Sequence, residues 1–139
     1  MKTITLDTGI EEFQLQGGGA LRFNPCDPNL YARFLEAETQ MQTLEQEMTA
    51  QAESHTGADR AAALVRLTAE TDKKVKELLN RVFGGDNDFD KALGGVNLLA
   101  VAADGEPVAV KLFAALEEIL TAGAERFAAQ KAAAIREAQ

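Results

Sequence analysis

The chain has little of what several classes of protein require. Its single cysteine, Cys26, cannot form an internal disulfide, so we expect a reducing compartment such as the cytoplasm. Basic residues are also few, with 14 Lys and Arg against 22 Asp and Glu and a net charge of −8. Binding of the nucleic-acid backbone depends on basic side chains that release counterions. The composition therefore argues against a nucleic-acid partner.

Long apolar runs are also missing. The longest, at residues 98–103, is far too short to cross a bilayer, which needs roughly 20 residues, so we expect no membrane association. Asp7, Glu11 and Glu12 interrupt the amino terminus where a secretion signal needs an uncharged apolar stretch. With 139 residues and 46% hydrophobic content, the chain can build one core, and we predict a single domain over residues 1–139.

The first part of the chain, residues 1–26, has the alternation of β-strands. Apolar residues recur at every second position in three short segments, which contain Ile4 and Leu6, Phe13 and Leu15, and Leu21 and Phe23. A glycine triplet at residues 17–19 offers the positive φ angles that turns require. We predict a short antiparallel hairpin or meander.

Two long helices are predicted next, over residues 28–54 and 59–83. Asp27 can cap the first turn and Pro28 needs no amide partner there, which is typical of a helix start. Large apolar residues then recur at steps of three and four, which places them on one face of each helix. They are Leu30, Phe34, Ala37, Met41, Leu44 and Met48 in the first helix, and Leu64, Val75, Leu78 and Val82 in the second.

The two predicted helices differ in charge. Residues 27–59 hold one basic and seven acidic residues, for a net charge of −6, whereas residues 60–82 hold six basic and three acidic residues, for +3. The connection between them is short and polar. These features favour an antiparallel helical hairpin over residues 28–83, with complementary charges along its flanks.

Residues 86–139 are predicted to form a C-terminal helical part. Asp88 can cap a short helix, and Pro107 suits the first position of a third long helix. For residues 96–103, a buried strand and a helix start remain open as alternatives. We therefore predict a mainly α fold with a small N-terminal antiparallel β segment (α+β), built from a helical hairpin and a long C-terminal helix.

Few side chains carry the chemistry of catalysis. The only histidine, His55, lies in the predicted connection between the helices, and Cys26 has no partner suited to activate it. Three acidic residues alternate as in a calcium-binding loop, namely Asp86, Asp88 and Asp90. Lys91 and Asn97, however, stand where such a loop needs a glycine and a bidentate glutamate. We predict no catalytic, cofactor or metal site, and no enzyme.

The C-terminal helix offers the best candidates for partner binding. Its large apolar residues are Phe113, Leu116, Leu120, Phe127 and Ile135. The segment after Phe127 is rich in alanine, which favours a helix but buries little surface. The same apolar residues could equally pack on the helical hairpin. If the end of the chain binds a partner, truncation after Ala122 leaves a folded protein without that interaction.

Five features follow one another along the chain. They are a short β segment ending in FNPCDPNLYARFLEA, an acidic helix, a basic helix ending in RVFG, the stretch DFDKALGGVNLLAVAADGEP and the helix KLFAALEEIL. In this order they resemble the tail assembly chaperones of long-tailed bacteriophages and prophages. The resemblance implies a non-enzymatic protein of the bacterial host cytoplasm that binds the tape-measure protein, keeps it soluble and helps to recruit major tail protein subunits.

The alternative function is a helical structural or adaptor protein that has no client. Its coiled-coil-like stripes would then hold several copies together in a homo-oligomer. An adjacent tape-measure reading frame would favour the chaperone. An enzyme ranks third, because the residues present do not predict a catalytic pocket.

Overall fold

The computed structural model describes residues 1–16 and 18–138. It confirms the predicted mainly α fold with a small antiparallel β-sheet at the amino terminus and a long C-terminal helix. The elements, in chain order, are β1 (Glu11–Gln14), β2 (Ala20–Phe23), α1 (Pro28–Glu53), α2 (Gly57–Phe83), α3 (Phe89–Ala92) and α4 (Val108–Ala138).

The β-sheet is a hairpin of two strands. Phe13 in β1 pairs with Leu21 in β2 in an antiparallel register. The first of the three segments predicted to be extended strands does not join them, so a three-stranded meander is wrong. Ile4 and Leu6, which mark that segment, are 84% and 74% exposed and lie outside any strand.

The glycines between the strands serve close packing. A Cβ atom on Gly18 would lie 2.1 Å from the carbonyl oxygen of Ala92, and the amide of Gly19 donates to the same oxygen at 2.8 Å. Gly19 does not have a positive φ, so the expected turn role is wrong for that residue. Gly17 lies outside the described residues. The small size of Gly18 and Gly19 lets the hairpin loop touch α3.

The helices α1 and α2 form the predicted antiparallel hairpin. Phe34 near the start of α1 contacts Phe83 at the end of α2, with ring centroids 6.3 Å apart. Near the other end of the hairpin, the hydroxyl of Thr68 donates to the sulfur of Met48 at 3.6 Å. Asp27 caps α1 as predicted, since its side chain accepts a bond from the second residue of the helix.

Two details of this helical hairpin differ from the sequence analysis. Leu64 is 44% exposed, and its neighbour Ala63 is buried instead. The opposite net charges form no ion pair between α1 and α2 within residues 1–16 and 18–138. Arg33 of α1 instead donates from Nε to the carbonyl oxygen of Val82 at 2.9 Å. The flanking charges therefore do not fix this interface through direct ion pairs.

The segment between α2 and α4 contains little regular structure. Asp88 caps the short helix α3, as predicted. Residues 96–103 form neither a strand nor a helix, apart from an isolated bridge to Pro107. The side chain of Asp72 in α2 accepts the backbone amide of Leu98 at 2.7 Å. That bond satisfies a buried backbone group without a strand or a helix.

Phenylalanine rings connect all six elements of the fold. Phe83 contacts three other rings and is the most connected member of this series. The contacting pairs are Phe13 with Phe23, Phe23 with Phe83, Phe34 with Phe83, Phe83 with Phe89, and Phe34 with Phe113, with ring centroids 4.5–6.3 Å apart. In the described chain, Phe127 stands outside this series and is half-buried. The core is therefore one connected cluster.

Replacing the central ring should destabilise the whole fold. We expect Phe83→Ala to lower the free energy of unfolding by about 3–5 kcal/mol, because it removes contacts with three rings and leaves a cavity. The control Phe127→Ala deletes the same side chain outside the cluster and should cost no more than about 1 kcal/mol. Denaturant unfolding of both variants measures these losses. Equal losses would contradict the central position of Phe83.

Candidate partner-binding surfaces

The long helix α4 has two halves with different surroundings. Its buried residues end at Gly123, and no residue from 124 to 138 is buried. At 1.5 Å per residue, these fifteen residues extend about 22 Å beyond the last buried position. We call residues 124–138 the α4 extension.

Gly123 marks the place where α4 leaves the core. A Cβ atom at this position would lie 1.8 Å from the carbonyl oxygen of Pro25, in the segment just before α1. Only a glycine lets the two backbones approach this closely. Gly123 is not among the residues predicted from the sequence, although an isolated glycine inside a helical pattern is a known signal of close packing.

The five predicted partner-binding residues fall into two groups. Phe113, Leu116 and Leu120 are 8%, 3% and 0% exposed and belong to the core, so they offer no surface to a partner in this structure. Phe127 is half-buried and Ile135 is 60% exposed, and both lie on the α4 extension. A single apolar stripe contains both groups, which is why its periodicity did not separate them.

The α4 extension is rich in small side chains. Seven of its fifteen residues are alanine. The ammonium group of Lys131 lies 5.8 Å from the centroid of the Phe127 ring, a cation–π geometry that covers part of that ring. Small side chains allow a second helix to approach closely, and apolar anchors give it contacts. The extension is therefore suited to pack against another helix.

A second candidate surface lies between the β-hairpin and α4. It is a groove of about 550 Å³, which we call the hairpin groove. It borders β1 and no residue of β2. Its lining residues are Glu11, Phe13, Pro25, Ile119, Ala122, Glu125, Arg126 and Ala129. Five of these residues are apolar and three are charged.

The two outer edges of the β-hairpin differ. At the edge of β2, the side chain of Asn87 donates to the carbonyl oxygen of Arg22 and accepts the amide of the same residue, both at 2.8 Å. The partner of Glu12, Arg22, bonds outward to Asn87, so Glu12 and Arg22 form a pair without mutual bonds, and the backbone of Glu12 and Gln14 points to the outer edge of β1. No described residue donates or accepts a backbone bond along that edge. The edge of β1 is thus free.

The segment that precedes β1 is exposed and forms neither a helix nor a strand, and we call residues 1–10 the arm. The side chain of Asn24 donates to the carbonyl oxygen of Thr8 at 3.0 Å. Gly9 has a φ of 72°, and its amide donates to the side chain of Asp7 at 2.9 Å. These contacts hold the base of the arm beside the end of β2. Further along the arm, the side chains of Ile4 and Leu6 are 84% and 74% exposed.

The most deeply buried charges lie on α2. The ammonium of Lys76 is 2.9 Å from a carboxylate oxygen of Asp72 and 2.6 Å from one of Asp90. Lys76 is 4% exposed and Asp72 is 7% exposed. Burial lowers the pKa of Lys76, but the hydrogen bonds and charges of Asp90 and Asp72 outweigh it, so this pKa lies above its ordinary value. The cluster fastens α3 and the segment around Leu98 to α2.

The residues considered for catalysis or metal binding do not come together. Cys26 precedes and His55 follows the 26-residue α1, which is about 39 Å long, so the two cannot form a pair. Asp88 caps α3 and Asp90 pairs with Lys76. Within residues 1–16 and 18–138, no group of three or more His, Cys, Asp or Glu is placed to hold a metal ion. None of the helices in the described part of the chain is long and apolar enough to cross a membrane.

Comparison with known proteins found no match for this chain. No protein-family model, no curated protein and no solved structure matches the chain.

The buried cluster on α2 gives a second test of the fold. Lys76→Met leaves the Asp72 carboxylate buried without its cation, and we expect a loss of about 3–5 kcal/mol in the free energy of unfolding. Lys73→Met removes an exposed lysine from the same helix and should change it by no more than about 0.5 kcal/mol. Denaturant unfolding near neutral pH measures both losses.

Near neutral pH, the unfolding experiment measures the full contribution of the Lys76 charge. Because its pKa is raised, the stabilisation from Lys76 is complete below its unfolded pKa of about 10.4 and is lost only as pH rises through the folded value. Adding Asp72→Asn to Lys76→Met should recover part of the lost free energy of unfolding, because it removes the buried charge that Lys76→Met leaves unpaired. The amide oxygen of the asparagine can still accept the bond from the Leu98 amide. Similar losses for Lys76→Met and Lys73→Met would show that the buried pair does not hold the fold.

Proposed function

We propose that this protein is a non-enzymatic tail assembly chaperone that binds the tape-measure protein through the α4 extension and helps to recruit major tail protein subunits. The proposal rests on two things. The order of features along the sequence resembles that of tail assembly chaperones, and the fold has a property that suits such a role. That property is the continuation of α4 for fifteen residues past Gly123 with none of them buried. This observation carries the proposal.

The chemistry of the α4 extension suits a long helical client. A tape-measure protein is a long helix with exposed apolar stripes, and such a helix aggregates unless its stripes are covered. Phe127 and Ile135 supply apolar anchors about two turns apart, and the alanines between them permit close packing. A helix-on-helix contact of this kind would cover part of one stripe.

The distribution of charge supports the same proposal. The α4 extension holds three basic and two acidic residues, for a net charge of +1, whereas the whole chain carries −8. The binding helix is thus nearly neutral, while the rest of the molecule carries the negative net charge. A net charge far from zero keeps proteins soluble, and a chaperone would transfer this property to the complex.

Removing the end of α4 should separate folding from client binding. A cut after Ala122 also removes Gly123 and its contact with Pro25, so we choose a cut after Arg126, which keeps every buried residue of α4. We expect the shortened chain to keep its helical circular dichroism and to melt within a few degrees of the full chain, because no core side chain is lost. It should no longer pull down a co-expressed tape-measure protein.

A matched pair of substitutions tests the same surface without shortening the chain. Phe127→Asp with Ile135→Asp places two charges among the apolar anchors and should abolish the pull-down. Ala133→Asp adds a charge to the opposite face of the helix, outside the hairpin groove, and should preserve it. Should the chain cut after Arg126 unfold, the extension belongs to the core. Should it fold and still bind the client, the binding face lies elsewhere, and the acidic α1 becomes the next candidate.

A further inference from the structure

We infer that two copies of this chain exchange their arms. Residues 2–6 of each copy add as a strand to the free edge of β1 in the other copy, with Ile4 and Leu6 covering the hairpin groove. The partner is thus a second copy of this chain. The inference is independent of the client, although Glu125, Arg126 and Ala129 of the α4 extension also line the hairpin groove.

The arm has the properties of a strand without a sheet. In an extended chain, residues two apart point to the same side, so Ile4 and Leu6 share one face and Thr3 and Thr5 share the other. Isoleucine and threonine are among the residues that favour strands. Both apolar side chains are almost fully exposed, at 84% and 74%. Pairing with a sheet edge would remove them from water.

The β1 edge and the hairpin groove form one continuous receptor for such a strand. The edge supplies the unpaired backbone groups of Glu12 and Gln14. The hairpin groove lies along the same strand, and its lining includes the apolar residues Phe13, Ile119 and Ala122. An added strand would satisfy the backbone groups with its own and would cover the groove with its apolar face. Both parts of the receptor are thus used at once.

The arm of the same chain is poorly placed to fill this receptor. Asn24 holds the carbonyl group of Thr8 beside the end of β2, whereas the receptor lies along the outer side of β1. To reach it, the chain would have to reverse direction between Gly9 and β1. In the structure, the apolar residues Ile4 and Leu6 of the arm instead remain exposed. A second copy can supply its arm without this reversal.

Charge favours arm exchange over direct pairing of two β1 edges. β1 contains Glu11 and Glu12 and no basic residue, so two adjacent β1 strands would bring four carboxylates together. The arm instead brings Lys2 to this acidic edge. When each copy gives one arm and receives one, both free edges are covered and the assembly closes as a dimer with two-fold symmetry.

Light scattering during size-exclusion chromatography measures this dimer in the full chain. We expect a mass of about twice 14.9 kDa at high concentration that falls toward 14.9 kDa on dilution. Ile4→Asp with Leu6→Asp should weaken dimerisation by roughly 100-fold or more, because each of the two arms loses both of its apolar contacts. Thr3→Asn with Thr5→Asn replaces two residues on the other face of the arm without adding carboxylates beside Glu12, and should dimerise like the unchanged chain.

A substitution in the groove tests the receptor from the opposite side. Ala122→Arg fills the groove from an exposed helix position and should also leave a monomer. Ala115→Arg places the same side chain two turns earlier on α4, outside the groove, and should leave the dimer intact. All substituted positions are exposed, so circular dichroism should show the same helix content in every variant. An unchanged chain that stays monomeric at high concentration, or a dimer that survives Ile4→Asp with Leu6→Asp, overturns the inference.

Cross-linking identifies which copy supplies the arm. In chains with Cys26→Ser, one protein carries Leu6→Cys and another carries Ala122→Cys, and the two are mixed and oxidised with oxidised glutathione. We expect a disulfide-linked heterodimer, and a much weaker one when Thr5→Cys replaces Leu6→Cys. A chain with both Leu6→Cys and Ala122→Cys serves as the final control. If it closes an internal disulfide at a dilution where the protein is monomeric, the arm folds onto its own groove and exchange is excluded.

Discussion

The connected series of phenylalanine rings is the constraint on which the rest of the fold depends. Each of the six elements contributes one ring, and Phe83 joins the rings of β2, α1 and α3. A two-stranded hairpin and a four-residue helix are unstable in water by themselves. Contact with this cluster gives both elements a fixed place against the long helices. The small elements thus depend on the same side chains that hold α1 and α2 together.

The limits of this core determine which parts of the chain are free to meet a partner. At Gly123, the backbone of α4 passes the carbonyl group of Pro25, and after this contact the helix buries no further residue. At the other end of the chain, Asn24 holds the base of the arm. Both ends of the polypeptide thus extend from one small core with apolar side chains exposed. Our two proposals assign a different partner to each end, a helical client to the α4 extension and a second copy to the arm.

Local signals in the sequence predicted the helices well, because caps and breaks act within one turn. Asp27 and Asp88 start helices where expected. Features that depend on distant residues could not be predicted. The alternation at Ile4 is real, but it does not reveal whether a neighbouring strand exists. Likewise, the conformation near Leu98 depends on Asp72, which lies 26 residues away, and the hairpin groove arises only where α4 passes β1.

Hydrogen exchange of individual backbone amides tests most directly the claim that the core ends at Gly123. In the purified chain without a client, amides of α4 up to Gly123 should exchange only through global unfolding. Amides of the α4 extension should exchange orders of magnitude faster, because local opening there disturbs no buried side chain. Equally slow exchange along the whole of α4 would contradict the account, since it would show that residues 124–138 are held as firmly as the core.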